Sequence, residues 1–235
     1  VNLLLFTAAD RLDEQHIRVA GERLQHLRQV LGSQVGDELR VGEVDGMTGT
    51  GRLLEIDERQ AVLAVELIRP PPPKLPLCLV LALPRPKMLR RIIRTVAELG
   101  VAELHLINSY RVDKSYWRTP ALQPDTLRGY LLQGLEQSRD TILPTVTCHH
   151  RFKPFVEDVL PAMAAPRRAL LAHPGDYPPC LAEPDRQTLL VIGPEGGFIP
   201  FEVEKLEAAS CEAVSLGPRI LRVETALTAL IGRLF

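Results

Sequence analysis

Long apolar runs are missing from this 235-residue chain, and no segment approaches the length needed to cross a bilayer. The run at residues 3–6 is too short for the core of a secretion signal and has no basic residue before it. Cysteine is sparse. Cys78, Cys148, Cys180 and Cys211 lie far apart, which argues against a dense disulfide framework and against a paired-cysteine metal site. They read as free thiols of a cytoplasmic protein. His149, His150 and His173 have no partner at metal-ligand spacing, so no metal is expected. An excess of positive charge is missing too: 28 Lys and Arg stand against 29 Asp and Glu. A nucleic-acid partner would therefore need a local patch. There is no internal repeat, no G-x-G-x-x-G and no phosphate-loop lysine, so a nucleoside triphosphate is poorly supported.

Charge and proline divide what is present. Residues 1–73 hold 8 basic and 12 acidic side chains, whereas residues 74–235 hold 20 and 17. Between the two stretches stand Pro70, Pro71, Pro72 and Pro73, which favour an extended chain and cannot enter a sheet interior. Residues 1–69 are expected to form one domain, 70–76 a linker and 77–235 a second domain. In the first, Leu24, Leu27 and Leu31 share helical spacing. Leu39 and Val41, then Leu54 and Ile56, then Ala61, Leu63, Val65 and Leu67, alternate as in a small antiparallel meander.

After residue 77 strands and helices alternate, the signature of a parallel sheet. Strands are expected at 77–83, 101–107, 145–148, 169–172, 189–192 and 213–216. Helices are expected at 87–99, 125–139, 155–163 and 224–235. Two of the strands end in glycine-proline loops, Gly193-Pro194-Glu195-Gly196-Gly197 and Gly217-Pro218-Arg219. Glycine lets backbone approach a ligand closely, and open α/β sheets bind beyond the carboxyl ends of their strands. The residues alone predict a small-molecule site with a carboxylate and arginines near it. Glu195 itself can be read as a general base, a loop-organising carboxylate or a ligand for hydroxyls.

The pair formed by residues 193–197 and by Leu216-Gly217-Pro218-Arg219-Ile220-Leu221-Arg222, with Glu224-Thr225-Ala226 after it, resembles the RsmE family. These are 16S ribosomal RNA uracil-N3 methyltransferases of the SPOUT superfamily. The resemblance implies a trefoil-knotted α/β domain, a homodimer, and 16S rRNA or the small ribosomal subunit as partner, and His26-Leu27, Val30-Leu31, Gly36-Asp37 and Asp45-Gly46 resemble the same family's amino-terminal PUA-like β-barrel domain. It implies S-adenosylmethionine held by Ala172 and His173, by Ile192, Gly193, Glu195, Gly196 and Gly197, and by Leu216, Gly217, Arg219, Ile220 and Leu221. At His173 the backbone or neighbours, not the imidazole, are expected to serve. Arg222 is the first candidate for stabilising charge on the base and Arg219 the second, with Thr225 able to hydrogen-bond it.

RNA contact is expected from Arg85, Lys87, Arg90, Arg91 and Arg94, five cations within ten residues without an acid. Arg111 and Lys114, interleaved with Tyr110, Tyr116 and Trp117, suit stacking on unpaired bases or anchoring of a loop. Several positions depart from the family pattern. Residues 2–6 lack an arginine, Gly32 stands where an arginine is usual, and Pro86 replaces a glycine before Lys87-Met88. Arg139-Asp140 follow Glu136-Gln137-Ser138 where glycine and arginine are usual, and Val223 replaces a threonine. These leave open a methyltransferase acting on another RNA position, and a non-catalytic RNA-binding or assembly paralogue.

Overall fold

The computed structural model describes residues 2–235. It divides the chain into two compact units, one running up to Pro73 and including Leu132–Leu143, the other Lys74–Leu131 with Pro144–Phe235.

The first unit is built on a five-stranded sheet. Its strands are β1 (Leu4–Phe6), β2 (His16–Val19), β3 (Glu38–Glu43), β4 (Thr48–Ile56) and β5 (Ala61–Arg69), in the order β1-β3-β4-β5-β2. The sheet is mixed, not a pure antiparallel meander, because β1 runs parallel to β3. Helix α1 (Gly21–Gln25) continues as one wide turn over His26–Val30. It lays Leu24 and Leu27 on a core of Phe6, Ile17, Val41, Leu53 and Leu63. Alternation in β5 is as expected, with Ala61, Leu63 and Val65 buried. In β4 a register shift between Leu53 and Glu55 breaks it, so that Leu53 and Ile56 both face the core and Leu54 is left exposed.

Residues 132–143 fasten to the β3–β4 turn. The Asp45 N–H donates to the Thr141 carbonyl at 2.8 Å, and the Leu143 N–H donates to Asp45 Oδ1 at 2.9 Å. Asp140 is buried, and its Oδ1 accepts from the N–H groups of Thr141 and Ile142. Arg139 has φ of 62°, the left-handed conformation that glycine adopts without strain after a helix.

The second unit carries six parallel strands in the order β11-β9-β10-β6-β7-β8. These are β6 (Leu75–Ala82), β7 (Val101–Ile107), β8 (Thr145–His149), β9 (Arg168–Ala172), β10 (Thr188–Ile192) and β11 (Glu212–Val214). The strands β6 and β10 lie at the centre, and their continuous apolar runs are what burial on both faces demands. The long helices are α2 (Pro86–Glu98), α6 (Pro200–Ala208), α7 (Val223–Leu234) and α3 (Pro124–Ser138), the last of which belongs to the first unit from Leu132 onward. Helix α2 starts with Pro at N1 and buries Leu89, Ile92, Ile93 and Val96. The expected helix at 155–163 is broken into α4 (Phe152–Pro154), a wide turn Phe155–Val159 and α5 (Leu160–Ala164). Pro161, inside that run, cannot donate to the helical ladder. None of the described helices is long and apolar enough to cross a membrane.

Candidate active site

The strand order of the second unit brings the ends of β9, β10 and β11 together, and the loops leaving them enclose a cleft. Its floor is Ala172, Ile192 and Val214. Its walls are Gly193, Glu195 and Gly197 on one side and Leu216, Gly217, Arg219, Ile220 and Leu221 on the other. His173 closes a third edge. Gly196 is the single cofactor candidate outside this lining; its carbonyl accepts a hydrogen bond from Arg111 instead. Val223, Ala226 and Leu230 of α7 also face the cleft, as do Phe198 and Ser215. The spacing of the α7 residues, three and four apart, could have flagged them as one helix face.

Two glycines shape the cleft. Gly197 and Gly217 have φ of 72° and 103°, and a Cβ at either would meet nothing within 4 Å. Side chains there would be strained, although nothing nearby would clash with them. Polar groups are few. His173 Nδ1 lies 2.7 Å from the Pro174 carbonyl, so Nδ1 holds a proton. In the neutral ring Nε2 is then an acceptor, and it is buried without a hydrogen-bond partner. A buried acceptor left unpaired is costly, and a ligand donor would relieve it. The imidazole, which the sequence offered no reason to choose, is the group so placed.

Glu195 is engaged from outside the cleft. Its Oε1 accepts the Arg85 backbone N–H at 3.2 Å, and the Arg85 guanidinium comes to 4.0 Å. Neither Arg219 nor Arg222 forms an ion pair among the described residues, and both are exposed. Arg222 sits at the N-cap of α7, its carbonyl accepting from the Ala226 N–H at 2.8 Å. Arg222 and Thr225 lie beside the cleft lining rather than in it, and Thr225 is exposed.

The basic cluster divides. Arg85, Lys87, Arg90 and Arg91 are exposed. Arg94 is half-buried, with its guanidinium carbon 5.3 Å from the centre of the Tyr130 ring. Lys114 and Arg118 are exposed on a short 3-10 turn, Lys114–Arg118, whose Trp117 donates to Asn108 Oδ1 at 3.0 Å.

One polar group lies away from the cleft. Cys78, Glu103 and His105 on β6 and β7 bring potential ligand atoms within 4.8 Å of one another. The group already holds a cation, because Arg167 donates to Glu103 at 3.2 Å. Burial, with Glu103 beside it, pushes the Cys78 thiol up to about 12. His105 Nδ1 meets His149 Nε2 at 3.0 Å, and burial holds both imidazoles below the usual range. Single-residue spacing hid this cluster, because parallel pairing of β6, β7 and β8 assembles it.

An α/β unit whose strand-ending glycine loops enclose a cleft, with exposed arginines at and beside it, has counterparts among proteins that modify RNA. The chain belongs to the RNA methyltransferase domain family, whose model matches residues 71–234. It is similar to the ribosomal RNA small subunit methyltransferase E of Treponema pallidum, 29% identical over 214 residues, covering 88% of this chain and 80% of that protein. It is 27% identical over 237 residues to the protein of the same name from Synechocystis sp., covering 98% and 76%. The fold matches the ribosomal RNA small subunit methyltransferase E of Neisseria gonorrhoeae bound to S-adenosyl methionine. That match has a TM-score of 0.78 and 20% identity, and covers 98% of this chain and 95% of the other.

Proposed function

We propose that this chain transfers a methyl group from S-adenosylmethionine to N3 of a uridine in 16S ribosomal RNA of the small subunit, acting in the cytoplasm as a homodimer. The observation that carries the proposal is the cleft itself. Gly193, Glu195 and Gly197 of one loop and Leu216, Gly217, Arg219, Ile220 and Leu221 of the next enclose one space together with Ala172 and His173. The names of the relatives supply the substrate class, and the Neisseria structure supplies the cofactor. The cleft suits that cofactor: apolar side chains flank a flat ring, glycines leave room for close approach, and His173 Nε2 awaits a donor.

Bound S-adenosylmethionine would supply a sulfonium methyl, whose carbon–sulfur bond breaks with its electrons left on sulfur as N3 of the base bonds to that carbon. The chain must align the two partners, a proximity effect worth several kcal/mol (roughly 7–11 in favourable cases). It must also accommodate charge. Loss of the N3 proton to water spreads negative charge onto the carbonyl oxygens flanking N3. Arg222, exposed and free of any ion pair among the described residues, is proposed to meet those oxygens, with Arg219 as second candidate and Thr225 as a hydrogen-bonding neighbour. Glu195 is assigned to loop organisation, since it is tied to Arg85. N3 lies on the pairing edge of uracil, so the target is unpaired or extruded.

The homodimer is proposed from the family resemblance. Helix α7 consumes Leu227, Leu230 and Leu234 in its own core, so its apolar content does not by itself call for a partner. Ile220, a wall residue of the cleft that is 84% exposed, is apolar surface that a bound cofactor or a second copy would cover. A different RNA position is favoured by one observation, Val223. Its methyl groups line the cleft where the family resemblance puts a hydroxyl. Calorimetric titration with S-adenosylmethionine tests the cofactor, and assay of methyl transfer to unmodified small subunits tests the reaction.

A further inference from the structure

Tyr110 is the most exposed aromatic residue described, at 79%, yet it does not sit on a loose loop. Its neighbours Ser109 and Val112 are buried, and the Val112 N–H closes a turn on the Ser109 carbonyl at 3.1 Å. The turn is fastened from beneath by Glu202, which is only 2% exposed. Glu202 stands at N3 of α6 and caps that helix by accepting the Ile199 N–H at 3.1 Å. Its carboxylate also accepts the Tyr110 N–H at 2.8 Å and the Ser109 hydroxyl at 3.2 Å. One buried carboxylate thus joins the loop after β7 to the loop after β10, which is a wall of the cleft. Arg111 adds a second tie by donating to the Gly196 carbonyl.

A large aromatic ring held out in water on a fixed turn makes no core contribution to this chain. Cations surround it in sequence: Arg111, Lys114 and Arg118 are all exposed. A flat exposed aromatic face with three cations and one acid, Asp113, in the eight residues after it matches an unpaired nucleobase on its phosphate backbone. We propose that the Tyr110 ring is a stacking platform for an unpaired base of the RNA substrate, beside the base that is methylated, and that Glu202 is the positioning residue that fixes the platform relative to the cleft. This rests on the methyltransferase reading for the identity of the RNA, but not for the stacking itself.

The side chain can be changed without disturbing the tie, because Glu202 holds the backbone of residue 110. The test compares Tyr110→Phe, Tyr110→Trp and Tyr110→Ala in two assays. One is equilibrium binding of a fluorescein-labelled single-stranded oligouridylate. The other is kcat/KM for unmodified small ribosomal subunits at saturating S-adenosylmethionine. Phe and Trp should stay within about threefold of wild type in both, whereas Ala should lose roughly tenfold to a hundredfold. Cofactor affinity should be the same in all four proteins. Glu202→Gln places an amide donor against N–H and O–H donors, and should raise KM for the subunits while Tyr110 is still present. An Ala variant that binds and methylates RNA as wild type does would overturn the platform. So would a Phe variant as impaired as Ala, since the hydroxyl would then be the active group. Should wild type bind the oligonucleotide and the Ala variant lose it, with no methyl transferred by either, the platform would stand and the methyltransferase reading would fall.

Discussion

Arg222 and Arg94 are both single arginines of the second unit, and their surroundings predict opposite behaviour. Arg222 has no ion-pair partner among the described residues and lies at the start of α7, next to the cleft. If it stabilises charge developing on uracil, Arg222→Ala should lower kcat by about a hundredfold or more while cofactor affinity, read by calorimetry, hardly moves. Arg222→Lys should recover little, since lysine keeps the charge but lacks the planar fork. An Ala variant that unfolds or loses the cofactor would make it a structural arginine. Arg94 lies over Tyr130, so Arg94→Ala should lower stability by about 1 kcal/mol, seen as a lower melting temperature. Arg91 is exposed, and its loss should instead reduce the salt dependence of RNA binding by about one unit of slope, with saturated turnover kept. The sequence placed all three in functional patches but could not separate them. Arg94 shares a helix face with Lys87 and Arg91, and only the packing of α2 beside Tyr130 distinguishes it. Glu202 was missed for a related reason: a carboxylate at N3 after a proline reads as a helix cap, and its second task depends on a loop ninety residues away in sequence.

Elements were readable where local pattern and tertiary context agree. The strand at 101–107 is found at Val101–Ile107, and the expected helix at 87–99 runs Pro86–Glu98, because periodicity and capping signals point the same way. The strands β1 and β2 went unread. Each is only three or four residues long and gains its stability from pairing with β3 and β5. In β4 the register shift broke the alternation that the sequence was read by. The glycine loops were readable as loops, but the cleft they enclose follows from the sheet order. Their φ values carry a prediction. Gly197→Val and Gly217→Val should each abolish S-adenosylmethionine binding in a calorimetric titration, with the far-ultraviolet circular dichroism of wild type retained. Unchanged affinity in both would remove the cofactor from this cleft.

For the whole molecule, composition hid the partner. A net charge of −1 gives no sign of RNA binding, because exposed cations on α2, in the loop after β7 and at Arg219 and Arg222 are balanced by acids elsewhere in the chain. Oligomeric state was not readable from α7, whose leucines are used within the chain. Light scattering at micromolar protein should nevertheless give about twice the 26.1 kDa of one chain, and a monomer would contradict the proposed dimer. The central claim, that the cleft serves methylation of a small-subunit uridine, meets its most direct test in the RNA. Unmodified small subunits are incubated with the protein and S-adenosylmethionine, and the 16S RNA is digested and mapped by mass spectrometry. A single new methyl group is expected, on N3 of one uridine, formed about a hundredfold more slowly by the Arg222→Ala variant. A methyl group on a different nucleoside or ring position, or no methyl group from a protein that binds the cofactor, would contradict it.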